Sequence, residues 1–274
     1  MQHRILAFIG AGNMSRSIIA GLIQAGYPAD CILAANPSRP KLDELASQFG
    51  IRVTQDNTEA ARAADAIVLA VKPQLMATML TELVARVGSL EGKLLISIAA
   101  GIRVERLQEM AGGHSRIVRA MPNTPSLLGL GMTGLYAPAA IGQDDRNFAE
   151  QMMQSVGKTL WTEQEAGING VIAAAGSAPA YFFLFMQAIA EEAEAMGFSP
   201  EQARLLVQQT ALGAAAMVER NPELSLQTLR EQVTSKGGTT AEAVKTFQEQ
   251  GLMPLTARAM QAAVTRAAEM ETLF

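Results

Sequence analysis

Short apolar runs alternate with amphipathic helical stretches over the first 163 residues, and this alternation restricts the fold more than any other feature of the sequence. The runs are rich in branched apolar residues and too short to be helices, so they predict strands. Strands separated by helices pair in parallel, with helices on both faces of the sheet. We therefore predict an α/β fold with a doubly wound, Rossmann-type sheet. The runs are RILAFI (4–9), CILAA (31–35), IRVT (51–54), AIVLAV (66–71), KLLISIAA (93–100) and SRIVRAM (115–121), with GMTGLYA (131–137) and KTLWT (158–162) as edge strands around a helix at 144–156.

The second half of the chain is predicted to be helical, since no strand pattern follows residue 164. Residues 166–196 and 200–220 predict long, alanine-rich helices, and the first is apolar on nearly every side around 171–190. The surface of a monomer does not tolerate such a helix, so we expect a partner subunit to cover it. The sequence thus predicts a dinucleotide-binding domain over 1–163 and an all-α helical dimerisation domain over 164–274.

Composition excludes several classes of partner. The chain has 274 residues, a net charge of −4 and no basic run, so a nucleic-acid partner is not expected. Its one cysteine, Cys31, rules out an internal disulfide and fits a reducing compartment. The longest apolar stretch contains Gly, Ser, Pro and Gln, and is better explained by a buried helix than by a membrane span. We expect a soluble cytoplasmic protein.

A glycine-rich loop follows the first predicted strand. Gly10-Ala11-Gly12-Asn13-Met14-Ser15 has the pattern GxGxxG with Ser15 in the third place. Gly10 permits the tight turn, and Gly12 lets the backbone approach a pyrophosphate at the helix N-terminus. A plain tight turn is the alternative. Its place between a strand and an amphipathic helix favours dinucleotide binding.

The loop after the second predicted strand, AANPSRP (34–40), bears on the choice of dinucleotide. It has no acidic residue at the strand end for the ribose hydroxyls of NAD, whereas Asn36, Ser38 and Arg39 could hold a 2′-phosphate. A polar turn made by Pro37 and Pro40 is the alternative. The pattern favours NADP(H), with NAD(H) as the second choice.

Three further loops offer polar groups at strand ends. Lys72 follows the strand at 66–71, and Pro73 stiffens the turn, although a solvated surface lysine is the alternative. AAGI (99–102) allows another close backbone approach. Asn123 and Thr124 lie between two prolines, so they suit a nicotinamide carboxamide or a substrate, with an ordinary turn as the alternative.

VTSKGGTTAEAV (233–244) contains a second glycine loop. Thr239 and Glu242 fit the S/T-x-x-E capping box, with Thr239 as the N-cap. Gly237 and Gly238 permit backbone conformations closed to other residues, so the segment presents amide groups at a helix start. A purely structural cap is the alternative. We interpret the segment as a carboxylate pocket.

Pro179 in AAGSAPAY (174–181) interrupts the predicted long helix. Its ring clashes with the carbonyl of Ala175 and it has no N–H, so a kink is expected beside Ser177. A kinked core helix is one interpretation, and a Ser177 hydroxyl offered to a ligand is the other.

Ionisable catalytic groups are scarce. The two histidines, His3 and His114, are poorly placed to act as general bases, and no metal-ligand spacing or G-x-S-x-G elbow occurs, so no metal is expected. The reaction should need little help from ionisable side chains.

Six motifs occur together in order: FIGAGNM, AVKP, SIAAGI, RAMPNTP, GSAPAY and SKGGTTAEAV. By these the chain resembles pyrroline-5-carboxylate reductase, the last enzyme of proline biosynthesis, over almost its whole length. The resemblance implies a Rossmann domain, a helical dimerisation domain, and reduction of L-1-pyrroline-5-carboxylate to L-proline by NADPH or NADH. It also implies a homodimer, with larger rings of dimers in some relatives.

The resemblance implies specific site residues. Thr240 would lie near the ring nitrogen, and a protonated imine is already an electrophile, so orientation matters more than acid catalysis. The residues implied for substrate are Ser177, Gly237, Gly238, Thr239 and Thr240, and those implied for cofactor are Gly10, Ala11, Gly12, Asn13, Met14, Asn36, Ser38, Arg39, Asn57, Ala70, Val71, Lys72, Pro73, Ala100, Asn123 and Thr124.

Two other functions remain as alternatives. A β-hydroxyacid-type dehydrogenase has a similar layout but uses a lysine on the interdomain helix, and AGSAPAYFFLF has none. A non-enzymatic dinucleotide-sensing protein would share the first loop but would not need KGGTT.

Overall fold

The computed structural model describes residues 3–274, and within that range eight strands form one sheet in the order β3-β2-β1-β4-β5-β6-β7-β8. Strands β1 to β6 pair with one another in parallel, β7 is antiparallel to β6, and β8 is parallel to β7. The strands are β1 (Leu6–Ile9), β2 (Ile32–Ala35), β3 (Arg52–Thr54), β4 (Ala66–Leu69), β5 (Leu94–Ser97), β6 (Ile117–Met121), β7 (Gly131–Tyr136) and β8 (Gly157–Trp161).

Helices cover both faces of this sheet, as the alternation predicts. One buried cluster contains Phe8, Ile18 and Met152, and the other contains Ile9 and Leu80. The strand order reverses at β1, which lies between β2 and β4, and ligands bind at such a switch point in doubly wound folds. The helices are α1 (Asn13–Gln24), α2 (Arg39–Phe49), α3 (Asn57–Ala63), α4 (Pro73–Val87), α5 (Val104–Met110) and α6 (Gln143–Gln154).

The prediction of a parallel sheet is correct for β1 to β6 and wrong for the pair β6 and β7. Their connection contains only a short 3₁₀ helix, Thr124–Leu128. A parallel crossover needs a dozen or more residues, so this short connection reverses the chain.

Beyond Trp161 the part of the chain that the structure describes contains no further strand. The helix predicted over 166–196 is divided by a π-helical segment, Ile172–Gly176. The helices are α7 (Gly167–Val171), α8 (Ala178–Ala195), α9 (Pro200–Arg220), α10 (Leu226–Gln232), α11 (Thr239–Glu249) and α12 (Leu252–Met270).

The chain divides into two compact units. The first unit contains the sheet and consists of two segments, the chain up to Ser177 and Ala263–Phe274. The second unit is Ala178–Ala262. These limits differ from the predicted division after residue 163, because the chain remains packed on the sheet through α7 and the π-helical segment and returns to it at the end of α12. The limits 1–163 and 164–274 stay a prediction.

One helical stretch, Gly167–Ala195, is long and apolar enough to pass a test for a membrane span. The most apolar 18 residues of this stretch have a mean hydropathy of 1.5, and 28% of them are buried. A helix of this kind in a single chain is also what an uncovered subunit interface looks like.

Candidate dinucleotide and substrate sites

The residues predicted to bind a dinucleotide all follow one of the first six strands. Since β1 to β6 are parallel, their carboxyl ends lie at one edge of the sheet. Gly12, Lys72 and Thr124 are exposed there, from three different loops. The fold therefore places the predicted cofactor residues along one edge.

The first glycine loop is held close to two neighbouring strands. Gly10 has a φ of 108°, and a Cβ there would lie 2.5 Å from the carbonyl oxygen of Ala70. Ser15 is buried and its hydroxyl donates to the Gly10 carbonyl at 2.7 Å, so a small polar residue serves in the third position. Gly12 is the N-cap of α1, without a side-chain cap, and a Cβ on it would meet nothing within 4 Å. The start of α1 is thus left open for a phosphate group.

Asn36 at the end of β2 supports this loop. Its Oδ1 accepts a hydrogen bond from the Ala11 N–H at 3.2 Å, and its Nδ2 donates to the Ser38 carbonyl. Ser38 is the N-cap of α2 but makes no side-chain cap, so its hydroxyl remains exposed. Arg39 pairs with Asp43 at 2.8 Å in an exposed i,i+4 contact, which is weak enough for a phosphate to replace.

The other predicted cofactor residues lie at helix starts or in the loops that follow β3, β4 and β5. Asn57 is the first residue of α3, after the Asp56 N-cap, which accepts the Thr58 N–H. Lys72 is the N-cap of α4 and Pro73 its first residue. Ala70 and Val71 precede them, and Ala100 lies in the loop between β5 and α5.

Asn123 joins the loop after β6 to the π-helical segment. Its Nδ2 donates to the Ala175 carbonyl at 3.0 Å, and its Oδ1 accepts the Met132 N–H at 2.9 Å. The Ala175 carbonyl would have bonded the N–H of residue 179, which is Pro179, so Asn123 supplies the missing donor. The kink predicted beside Ser177 takes the form of this π-helical segment, and the Ser177 N–H donates to the Ile172 carbonyl. Asn123 thus stabilises the π-helical segment, a role that the sequence analysis did not predict.

Residues 237–240 belong to the second unit and lead into α11. Gly237 has a φ of 73°, a backbone conformation that glycine adopts far more readily than other residues. Gly238 has an ordinary φ of −84°, but a Cβ there would lie 2.5 Å from the Ser235 hydroxyl oxygen. Thr239 and Thr240 are exposed at the helix start, where the first N–H groups have no helical partner.

The predicted capping box of Thr239 and Glu242 is wrong. The N-cap of α11 is Gly238, and no side chain caps the helix. The helix starts one residue earlier than expected because the Gly238 carbonyl already accepts the N–H groups of Ala241 and Glu242, at 3.1 and 3.3 Å. The first turn therefore keeps its amides free of side-chain oxygens, which favours an anion site over a structural cap.

His114 lies just before β6, at the opposite end of that strand from the predicted cofactor loops. Its Nε2 bonds the Lys93 carbonyl at 2.9 Å, and burial lowers the pKa of its imidazole. Over residues 3–274, no group of three or more His, Cys, Asp or Glu could hold a metal ion.

The sequence reasoning missed a buried ion cluster at Arg119. This residue lies on β6, and its Nη1 donates to Glu165 Oε1 at 2.9 Å and to Glu271 Oε1 at 3.0 Å. The position of Arg119 within the apolar run SRIVRAM could have indicated a buried charge. Its partners, Glu165 and Glu271, are too distant in sequence to be predicted from that run.

Comparison with known proteins identifies the family. A model described as pyrroline-5-carboxylate reductase dimerisation matches residues 165–270, and one described as NADP oxidoreductase, coenzyme F420-dependent, matches residues 5–101. Over 274 residues the chain is 59% identical to the pyrroline-5-carboxylate reductase of Vibrio alginolyticus, with 100% of each chain covered. The chain belongs to the pyrroline-5-carboxylate reductase family.

Solved reductases of this family have the same fold. The pyrroline-5-carboxylate reductase of Coxiella burnetii matches with a TM-score of 0.93 and 43% identity, covering 98% of this chain and 99% of that one. The pyrroline carboxylate reductase of Plasmodium falciparum, solved with NADP bound, matches with a TM-score of 0.84 and 28% identity over 99% of each chain. The family and the fold class predicted from the motifs are confirmed.

Proposed function

We propose that the protein reduces L-1-pyrroline-5-carboxylate to L-proline with NADPH, which delivers a hydride to the imine carbon. One observation carries the proposal: in a chain that matches a pyrroline-5-carboxylate reductase over its full length, the Gly10 loop is fixed against β4 and leaves the start of α1 open. The bound cofactor would supply the hydride. The two alternatives, a hydroxyacid dehydrogenase and a non-enzymatic sensor, have no comparable support.

The chain's own residues would bind and orient the two reactants. The N–H groups at Gly12, Asn13 and Met14 would bind the pyrophosphate, and Gly10, which lies close to Ala70, would keep the backbone in place. Gly237 to Thr240 would bind the substrate carboxylate at the start of α11. The Thr240 hydroxyl would hydrogen-bond the ring nitrogen, and Ser177 would contribute a second hydroxyl. Orientation of this kind supplies a large part of the rate when the substrate is already electrophilic.

Turnover assays test this function. NADPH oxidation is followed with pyrroline-5-carboxylate, and NADP⁺ reduction is followed separately with a panel of β-hydroxy acids. The proposal predicts turnover with pyrroline-5-carboxylate and formation of L-proline. Turnover only with a hydroxy acid, or dinucleotide binding without any turnover, would reject it in favour of one of the alternatives.

Arg39 supports a preference for NADPH over NADH. Its exposed pairing with Asp43 is weak, so the guanidinium can turn to a 2′-phosphate and form a charge-assisted contact. Arg39→Ala should lower kcat/KM for NADPH about tenfold and leave kcat/KM for NADH nearly unchanged. Lys41→Ala, at an exposed residue of the same helix, is the matched control. Equal losses with both cofactors would show that Arg39 does not read the phosphate.

The proposal includes a homodimer that further assembles into a ring of dimers, in the cytoplasm and without a membrane partner. The match of residues 165–270 to the dimerisation model and the exposed apolar side chains of α8 support the dimer. The single cysteine supports a reducing compartment.

A further inference from the structure

Arg119 is the largest side chain that is fully buried in the described chain. It is 1% exposed, on the same side of β6 as Ile117, which belongs to the cluster with Leu80 and Leu107. Alternate residues of a strand face the same side, so the Arg119 side chain lies on the face of the sheet that α5 covers rather than in solvent. Burial of such a charge requires well-placed partners.

Both partners of Arg119 are carboxylates that bind one nitrogen. Nη1 contacts Glu165 and Glu271, at 2.9 and 3.0 Å. Among residues 3–274, Nη2 has no hydrogen-bond partner. Neither carboxylate therefore has a substitute, and the loss of one leaves the guanidinium under-paired.

Glu165 connects Arg119 to the end of the β5–α5 loop, which we define as residues 98–103. The backbone N–H of Val104 donates to Glu165 Oε1 at 2.7 Å, and Arg103 Nε lies 3.7 Å from Oε2. This carboxylate thus fixes the point where the loop enters α5.

Glu271 also connects Arg119 to this loop. Glu271 belongs to the C-terminal segment, which we define as residues 270–274. Met270 of this segment lies close to Gly101, since a Cβ added to Gly101 would be 3.1 Å from the Met270 Cβ. Arg106 on α5 donates to the Phe274 carbonyl at 2.8 Å. The C-terminal segment is therefore packed against both the β5–α5 loop and the helix that follows it.

We propose that Arg119 is a positioning residue for the cofactor, since it fixes the β5–α5 loop through Glu165 and Glu271. The inference rests on the proposed function and on the cofactor contact that the family resemblance implies for Ala100 of this loop. Ala99 and Ile102 of this loop are buried in the core, whereas Ala100 between them is only half-buried and Gly101 has a φ of 74°. The ion cluster adds polar contacts at the end of the loop, through Glu165 and Val104, and holds Met270 against Gly101.

A second buried ion cluster provides a matched control. Asp145 is 4% exposed and pairs with Arg4, just before β1, and with Arg116, just before β6. The two arginines precede parallel strands, so this cluster lies at the edge of the sheet opposite to the predicted cofactor loops. Loss of this cluster should lower stability without moving the β5–α5 loop.

The experiment compares Glu271→Gln with Asp145→Asn in the full-length enzyme. The dissociation constant of NADPH is measured by its fluorescence, kcat and KM are measured with pyrroline-5-carboxylate, and Tm is recorded for each variant. Glu271→Gln should raise the dissociation constant of NADPH about fivefold and lower kcat about tenfold, with the KM for pyrroline-5-carboxylate nearly unchanged. Asp145→Asn should lower Tm and leave all three constants near wild type. A chain ending at Met270 should behave like Glu271→Gln.

Wild-type NADPH affinity in both Glu271→Gln and the shortened chain would overturn the inference. An equal rise of the NADPH dissociation constant in Asp145→Asn would also overturn it, because the effect would then follow stability alone. The inference and the proposed function fail separately: absent turnover of pyrroline-5-carboxylate by wild type rejects the function, whereas the NADPH titrations still report on Arg119.

Discussion

Thr240 is the second residue of α11 and carries an exposed hydroxyl that does not cap its own helix. Its neighbour Gly238 supplies the N-cap, so the hydroxyl is available to a ligand. This arrangement fits the proposed role of Thr240, which is to align the imine rather than to cap the helix.

We expect Thr240→Ala to lower kcat about tenfold to a hundredfold, because the ring nitrogen loses the contact that orients the imine carbon. NADPH affinity should stay near wild type, and Thr240→Ser should restore most of the activity. The measurement is steady-state kinetics together with NADPH titration. Thr246→Ala is the control, because the Thr246 hydroxyl is bonded to the Glu242 carbonyl in the same helix. Unchanged turnover in Thr240→Ala would remove Thr240 from the mechanism.

The role of Gly10 in dinucleotide binding can be tested by comparison with Gly26, which also has a positive φ. Gly10→Ala combines an unfavourable φ with a collision at the Ala70 carbonyl, whereas Gly26→Ala has only the unfavourable φ of 84°, since nothing lies within 4 Å. Both should lose about 1 to 3 kcal/mol of stability from backbone strain. Only Gly10→Ala should also abolish NADPH binding, as measured by fluorescence titration. Wild-type NADPH affinity in Gly10→Ala would contradict the assigned role of the loop.

At the scale of elements, local patterns predicted most of the fold. The run RILAFI indicated β1, and the glycine pattern after it indicated the start of α1, because both depend on residues close in sequence. The capping box failed because Gly238 and Thr239 both fit the start of a helix, and the choice depends on which carbonyl accepts the N–H of Glu242. The π-helical segment was predicted only as a kink, since the partner of the Ala175 carbonyl is Asn123, far away in the sequence.

The connection between β1 and α6 has a pH-dependent stability. Burial alone would raise the pKa of the Asp145 carboxyl, but hydrogen bonds from Arg116 and Arg4 outweigh it and hold the pKa below its ordinary value. The stability that ionised Asp145 contributes is therefore present above the unfolded pKa, about 3.9, and is lost as pH falls through the lower folded pKa.

Asp145→Asn should therefore lower stability at pH 7 by about 2 to 3 kcal/mol, because two arginines lose a charged acceptor. The difference from wild type should shrink below about pH 4. Thermal unfolding at fixed protein concentration, at pH 7 and at pH 3.5, measures both effects. A difference that stays constant over this range would show that the charge of Asp145 is not responsible.

At the scale of the whole molecule, the sequence predicted an uncovered apolar helix but not the contacts that hold the C-terminal segment, residues 270–274, against β6. Phe182, Phe183 and Leu184 on α8 are each more than 60% exposed. By contrast, the pairing of Arg119 with Glu271 spans 152 positions, and no local pattern predicts such a contact. Apolar faces are visible in periodicity, whereas individual ion pairs depend on the completed fold.

Phe183→Glu should shift the protein from dimer or larger assembly toward monomer, because a charge would be buried in the interface. The measurement is light scattering coupled to size-exclusion chromatography. Leu75→Glu is the control, because Leu75 is 57% exposed on α4, outside residues 165–270. Unchanged mass in Phe183→Glu would place the interface elsewhere.

A crystal structure of the enzyme with NADP⁺ and L-proline tests the central claim most directly, since it locates both ligands at once. The account predicts the pyrophosphate at the N–H groups of residues 12–14 and the proline carboxylate at the N–H groups of residues 238–240, with the ring nitrogen near the Thr240 hydroxyl. Proline bound away from residues 237–240, with the glycine loop at residues 10–15 filled by the dinucleotide, would contradict it.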